Sequence, residues 1–492
     1  MSRDRARSSW RVKCRTVEFA ICCCLLPGGA ALAQVDWGAL SREAAALRQQ
    51  GKYESAATAA RQALEIAERQ SGPEHPSTAN SLNLLAEIYR QQARHVEAEP
   101  LYKRSLAIRE KALGPEHRDV AVSLNNLALN HSAQGQYALA EPLNVRALAL
   151  FEKVFGPNHR EVAVALNNLG MLYQRRGRYL EAEPALRRSL MIYETVPGPG
   201  GQLDAALTLD NLGTLYRLRG QYDAAEPLYK RSIAIREKQL GPDHPDVATS
   251  LNSLGQLYAT QARYSAAEEL YRRALVIREK TLGPQHPAVA DSLNSLALLQ
   301  RDQGNYGVSE RLYRRSLAIY EKTYGAGHRN VGLALNNLGN LYLRQERYAE
   351  AEPLLQRSLT IREQALGPDH PDVAISLLNL ATLYRRQGAQ EKAEPLYKRS
   401  IAIWDDALDR DHPNMANSLS GLAEIYRTQE KYAAALPLHR RALEIREKAL
   451  GLDHPDVAGS LENLAAIYRK AGRDSEAGTL ESRAAAIRKI RR

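Results

Sequence analysis

Between residues 166 and 193 the apolar positions follow one spacing, stop, and start again. Leu166, Leu169, Gly170 and Tyr173 stand at i, i+3, i+4 and i+7, which is one face of a helix. Gly177 ends that pattern and Tyr179 opens another, which runs to Tyr193 with Ala182, Leu186, Ser189 and Leu190 facing inward. Ala182 is small, as a close crossing of two helices requires. The pattern predicts a helix, a tight turn and a returning helix.

This pair recurs along the chain. Segments related to Leu124-Asn125-Asn126-Leu127-Ala128 begin at Leu40, Leu82, Leu166, Leu209, Leu251, Leu293, Leu335, Leu377, Leu419 and Leu461, which makes eleven units. Successive starts lie 42 residues apart, except Leu166 to Leu209, which are 43 apart. The extra residue falls near Pro197-Gly198-Pro199-Gly200-Gly201, so segment 195–202 is expected to form a local bend or flexible joint. Between units lie loops such as Gly241-Pro242-Asp243-His244-Pro245-Asp246-Val247. Gly241 ends one helix and Pro242 stops its continuation. Pro245 suits the first position of the next helix, and Asp246 complements its positive end. Pro100, Pro142, Pro184, Pro227, Pro353, Pro395 and Pro437 share a position early in the second helix. They are expected in its first turn, where a missing N–H costs little, and so to fix where that helix starts.

The order of large residue, Leu, Gly or Ala, Tyr, then Tyr, then Ala resembles the tetratricopeptide repeat, whose common form is about 34 residues. The longer unit here carries Leu-Asn-Asn-Leu-Ala, Glu-Ala-Glu-Pro-Leu-Tyr-Lys-Arg-Ser-Leu and the Gly-Pro-x-His-Pro loop. It is similar to the repeats of kinesin light chains and their bacterial relatives. The resemblance implies an all-α fold, a right-handed α-solenoid superhelix of about eleven helix pairs over residues 37–492. In such an array no unit buries its apolar face alone, and stability is close to a sum of neighbour interfaces. The Ala-rich first unit, with Leu47 in place of the helix tyrosine, and the basic end at Arg483, Arg488, Lys489, Arg491 and Arg492 have the character of caps.

The first 33 residues follow a different pattern. Arg3, Arg5, Arg7, Arg11, Lys13 and Arg15 precede an apolar run from Phe19 to Leu26, and Ala31-Leu32-Ala33 supplies small residues. This is the three-part form of a secretory signal, with cleavage expected after Ala33 and a short linker at 34–36. The run is too short to span a bilayer permanently, so no transmembrane segment is expected in the mature chain. Export to a bacterial periplasm or exterior follows. All four cysteines, Cys14, Cys22, Cys23 and Cys24, lie in this leader. The remainder therefore has no disulfide, thiolate metal site or cysteine nucleophile. The leader also accounts for four of the eleven excess positive charges, leaving +7. That excess favours acidic partners. It does not by itself indicate nucleic acid, because no basic block interleaved with aromatics appears.

A curved solenoid offers a concave wall made mainly of first helices. Its exposed positions lie one, two, five, eight and nine residues after the leading Leu, and two before it. The first of these holds Asn83, Asn125, Asn167, Asn252, Asn294 and Asn336, with Asp210 as a near match. The second holds Asn126, Asn168, Asn211, Asn337, Asn379 and Asn463. Asparagine is a poor helix former, so its repeated use inside a helix needs a reason. One reason is recognition, since a primary amide both donates and accepts. The other is stacking, with the amides bonding the adjacent unit. The resemblance to kinesin light chains implies that asparagines on this wall hold the main chain of an extended peptide. Further along stand Arg90, Arg217, Arg301, Arg385, Arg427 and Arg469 at one position and Arg175, Arg344 and Arg386 at the next. Each guanidinium suits a carboxylate, though a solvated helix face would use arginine equally.

His75, His117, His159, His244, His286, His328, His370, His412 and His454 share a loop position. Stacked repeats hold such residues on the order of 10 Å apart, too far to share one metal. Their expected role is to bond the loop backbone. No nucleophile elbow, phosphate loop or paired-carboxylate motif breaks the repeat. The expectation is a non-enzymatic scaffold with no cofactor and no metal, whose partners are proteins presenting extended, acidic segments rather than small-molecule substrates. The alternatives are a polyanion- or nucleic-acid-binding solenoid, or the regulatory partner of a separate enzyme.

Overall fold

The structure is a computed structural model that describes residues 36–407 and 412–489. The described residues form 22 helices, from Trp37–Gln49 to Asp474–Lys489, and contain no strand. The helices make eleven consecutive antiparallel pairs, numbered here as units one to eleven, each packed on the next. The expected leader, its cleavage point and its cysteines lie outside the described residues, as do most of the linker, Arg491 and Arg492.

Each unit from two onward, except unit five, begins its first helix at a histidine. In unit six His244 takes extended backbone (φ −76°, ψ 140°), and its Nδ1 accepts the Asp246 N–H at 3.2 Å. The other eight loop histidines cap their helices in the same way. A ring that accepts at Nδ1 carries its proton on Nε2. The histidines are therefore helix caps, each contributing about 1 kcal/mol.

The prolines depart from expectation. The second helix of unit four starts at Tyr179, so Pro184 is its sixth residue rather than part of its first turn. The same offset holds from His95 to Pro100 and from Tyr348 to Pro353. The start is instead set by the tight turn, where residues such as Gly177 (φ 74°) adopt the left-handed conformation. Each proline leaves the carbonyl four residues earlier without its helical donor. That carbonyl belongs to an outward-facing residue such as Val96 or Leu180, both well exposed.

Within a unit, a serine of the second helix pins the pair. Ser105 Oγ donates to the Ala79 carbonyl at 2.8 Å, and Ser189 Oγ to that of Ala163 at 2.8 Å. Ala98, Ala140, Ala182 and Ala225 are fully buried where the helices cross. Between units, one buried position alternates between arginine and aromatic side chains: Arg109, Phe151, Tyr193, Arg236, Arg278, Tyr320, Arg362 and Trp404. Where it is arginine, the guanidinium reaches the next unit. Arg278 donates to the Ala288 carbonyl at 3.0 Å and to Ser292 Oγ at 2.8 Å. Arg362 does the same to Asp372 and Ser376, at 2.9 Å each.

Segment 195–202 is taken up largely by the start of a longer helix. Unit five opens with a 20-residue helix, Pro199–Leu218, where most first helices have 16 residues, and Gly198 (φ 87°) replaces the histidine cap. A side chain at Gly201 would collide with the Val196 carbonyl, so the chain folds back on itself closely. One apolar cluster containing Tyr193, Ala205 and Leu209 continues across it.

The superhelix also touches itself. The tight turn of unit three meets the loop entering unit nine, six units later. A Cβ placed on Gly135 would lie 2.5 Å from Pro371 Cδ and 3.1 Å from the His370 ring. One unit further on, a Cβ on Gly177 would lie 2.8 Å from Pro413 Cδ. A single apolar cluster joins Ala128, Tyr137 and Ala140 to Val373, Trp404 and Met415.

Candidate binding groove

The concave wall is built from first helices, with side chains of the second helices reaching its floor. Its asparagines form a ladder along the array. Asn126 Nδ2 donates to Asn83 Oδ1 at 3.0 Å, Asn168 to Asn125 at 2.9 Å, Asn211 to Asn167 at 3.0 Å and Asn379 to Asn336 at 2.8 Å. The second asparagine of one unit thus bonds the first of the unit before. Asn125, Asn167 and Asn336 are buried, while Asn126, Asn168, Asn211, Asn337 and Asn379 are half-buried at the groove. Where serine takes the second place the ladder changes. Asn252 donates to Ser295 Oγ at 3.2 Å, Asn294 reaches the Tyr320 hydroxyl at 3.4 Å, and both leave a buried Oδ1 without a partner. Asp210 is buried with its carboxylate 3.0 Å from the Arg236 guanidinium, and burial raises its pKa.

The arginines divide into two sets. Arg301 and Arg344 share Asp302, at 2.8 and 3.2 Å. Arg427 grips Glu424 at 2.5 Å, which holds the Glu424 carboxyl below its ordinary range. Arg469 pairs with Glu481 at 2.6 Å. Arg175, Arg217 and Arg385 have no ion pair among the described residues. Arg217 lies beside the Tyr229 hydroxyl, and Arg385 Nε reaches the Tyr397 hydroxyl at 3.4 Å.

Of these three, Arg385 borders a hollow of about 540 Å³ in units nine to eleven, lined also by Asn379, Thr382, Tyr397, Ser420, Glu424 and His439. In unit ten Ser420-Gly421 stands where units three, four and eight have the asparagine pair, and the Tyr397 ring occupies the space of a Gly421 side chain. Ser420 Oγ and His439 Nε2 are buried without a partner, and burial pushes the His439 pKa down to about 4. Tyr397 and His439 belong to a second-helix position that reads Tyr102, Asn144, Leu186, Tyr229, Tyr271, Tyr313, Leu355, Tyr397, His439 along the array. Helix-face spacing marks Leu186 at this position as inward-facing but does not mark the position as part of a site. Its signal was present: it varies between polar, aromatic and aliphatic residues inside an otherwise constant helix. Among the described residues no group of three or more histidine, cysteine or acidic side chains could hold a metal. No helix there is long and apolar enough to cross a membrane.

Comparison with family models agrees with this architecture. A family model described as tetratricopeptide repeat matches residues 38–111, 82–148, 119–195, 204–280, 267–322, 330–406, 392–448 and 414–490. Among solved structures, the chain is similar to BtubC from P. vanneervenii at 24% identity, over 47% of this chain and 90% of that one (TM-score 0.37). It is also similar to a Podosopora anserina kinesin light chain with nearly identical TPR-like repeats, at 28% identity over 42% and 98% (TM-score 0.37). A Rap protein complexed with competence and sporulation factor matches at 15% identity over 76% and 99% (TM-score 0.48). No curated protein matches the chain.

Proposed function

The chain belongs to the tetratricopeptide repeat family, and on that premise we propose that it is a non-enzymatic scaffold binding extended, acidic protein segments in its concave groove. The observation that carries this reading is the set of groove arginines, Arg175, Arg217 and Arg385, with no carboxylate partner among the described residues. A guanidinium on a concave wall, beside half-buried amides, offers a carboxylate a directed contact. The half-buried asparagines Asn126, Asn168, Asn211, Asn337 and Asn379 are the amides placed to meet a peptide main chain. Their partners Asn125, Asn167 and Asn336 hold the wall together from behind. Arg301, Arg344 and Arg427 are already neutralised, so acidic residues would be read at intervals along the groove rather than continuously. The leader supports export as the setting for this binding; sequencing the N-terminus of the protein recovered from a bacterial envelope would test cleavage after Ala33.

The groove is tested by fluorescence anisotropy with labelled acidic, neutral and basic peptides of extended composition. Acidic peptides should bind, and binding should weaken as salt rises. Arg217→Glu with Arg385→Glu should reduce affinity at least about tenfold, as loss of one charge-assisted contact worth about 1.5–3 kcal/mol implies. Unchanged affinity and salt dependence in that double variant, or equal binding of basic peptides, would overturn the reading.

A further inference from the structure

The contact between successive turns of the superhelix distinguishes residues that the repeat makes equivalent. His370 and His412 are 7% exposed, whereas His75, His159 and His286, at the same loop position, are exposed. On the other side, His95, Tyr137 and Tyr179 open the second helices of units two, three and four and are buried; their counterparts Tyr222, Tyr264, Tyr306 and Tyr348 are only half-buried. The selective burial falls on three consecutive units on one side and on two consecutive loops on the other. That is the signature of a continuous seam between turns.

The seam is polar as well as packed. The His370 ring faces the Ala133 backbone and the His412 ring the Arg175 backbone, while each Nδ1 accepts its own helix N–H, from Asp372 at 2.9 Å and from Asn414 at 3.1 Å. A neutral ring with its proton on Nε2 satisfies both contacts at once. A second proton on Nδ1 would face the capped N–H and abolish the cap. Around His370 stand Arg329, Arg362 and, across the seam, His95, with Asp372 the acidic neighbour. His412 stacks on Trp404, ring centroids 5.2 Å apart.

We propose that this seam is an acid-sensitive latch, whose closure shuts the slot between the two turns so that a partner enters the groove as an extended chain, and whose histidines release it on protonation. The closed state disfavours the charged ring. Burial pushes the His412 and His95 pKa values down to about 4 from an ordinary 6.5, and lowers that of His370. The open state binds more protons between these limits, so latch stability is complete above the ordinary value and falls as pH drops toward about 4. Only the statement about how a partner enters rests on the groove reading; the latch itself is a property of the chain alone.

Four glycines supply the test, because all share the left-handed conformation and only two face the seam. Gly135 (φ 73°) and Gly177 (φ 74°) meet the opposing turn, whereas Gly304 (φ 82°) and Gly388 (φ 79°) have nothing within 4 Å. Asparagine tolerates this conformation. Small-angle X-ray scattering of the full chain at neutral pH should show a larger radius of gyration for G135N/G177N than for G304N/G388N, with equal helicity by circular dichroism. Acidification to about pH 4.5, within the histidine window, should expand the wild-type chain at constant helicity and leave G135N/G177N unchanged. Equal dimensions for the two double variants would overturn the latch. Acid expansion as large in G135N/G177N as in the wild type would overturn the role of the histidines. Neither outcome involves a peptide, so a failed latch is distinguishable from a failed groove.

Discussion

Residues 241–248 and 367–374 have the same sequence, Gly-Pro-Asp-His-Pro-Asp-Val-Ala, and opposite surroundings. In the first, the His244 side chain is 39% exposed. In the second, His370 is buried and its ring faces the backbone of a unit six places back in the array. Both histidines cap the helix that follows with the same geometry. Local sequence thus dictates the cap, and the superhelix dictates everything beyond it. An identical octapeptide is a surface loop where the array has not yet completed a turn and an internal contact where it has.

The largest expected difference comes from removing the ring in both places. His244→Ala should cost about 1 kcal/mol, the value of a cap. His370→Ala should cost about 3 kcal/mol, because the backbone it faces across the seam also loses a polar contact. Hydrogen exchange read separately on the flanking helices measures both, since a long array need not unfold as one unit. Equal losses would break the comparison. Next come Arg278→Ala and Arg362→Ala, each expected to cost about 2 kcal/mol locally by stranding a loop carbonyl. Arg362 holds the Asp372 carbonyl beside the seam, so its loss should also raise exchange near Ala133. Arg278, away from the seam, should loosen only units six and seven. A smaller effect of opposite sign is expected at the outward-facing turn of unit eight. Glu346 holds φ 60° where unit three has Gly135. Glu346→Gly should stabilise by about 1 kcal/mol by relieving left-handed strain, seen as a higher denaturant midpoint. The smallest belongs to the ladder. Asn379→Ala loses a hydrogen bond worth about 1 kcal/mol but gains helix propensity of about half that, leaving a net cost near 0.5 kcal/mol.

The unit, its two helices and the loop punctuation were legible in the sequence because each depends on residues within one period. Gly241 and Pro245 sit where the spacing placed them. The prolines misled because a missing N–H costs least in a first turn, and that rule ignores an outward carbonyl that can bond water instead. The asparagine pairs posed a choice between recognition and stacking that only packing could inform. The buried member of each pair is the one that bonds forward, as Asn125 does to Asn168. The seam was illegible for a different reason. It joins residues more than 230 positions apart through side chains that recur throughout the chain, so nothing in Gly135 or His370 marks them apart from their copies.

That interchangeability bears on how such an array can change length. Both edges of the seam repeat with the period of one unit, like the two scales of a vernier. Deleting one whole unit between units four and nine would bring the turn of unit three opposite the loop that now enters unit ten, which carries His412-Pro413 in place of His370-Pro371. The contact would re-form with a new pair of the same kind. Gene slippage in whole units could therefore lengthen or shorten the coil without inventing a new self-contact. Only a slip out of register, such as the single extra residue absorbed near Gly201, would require local repair.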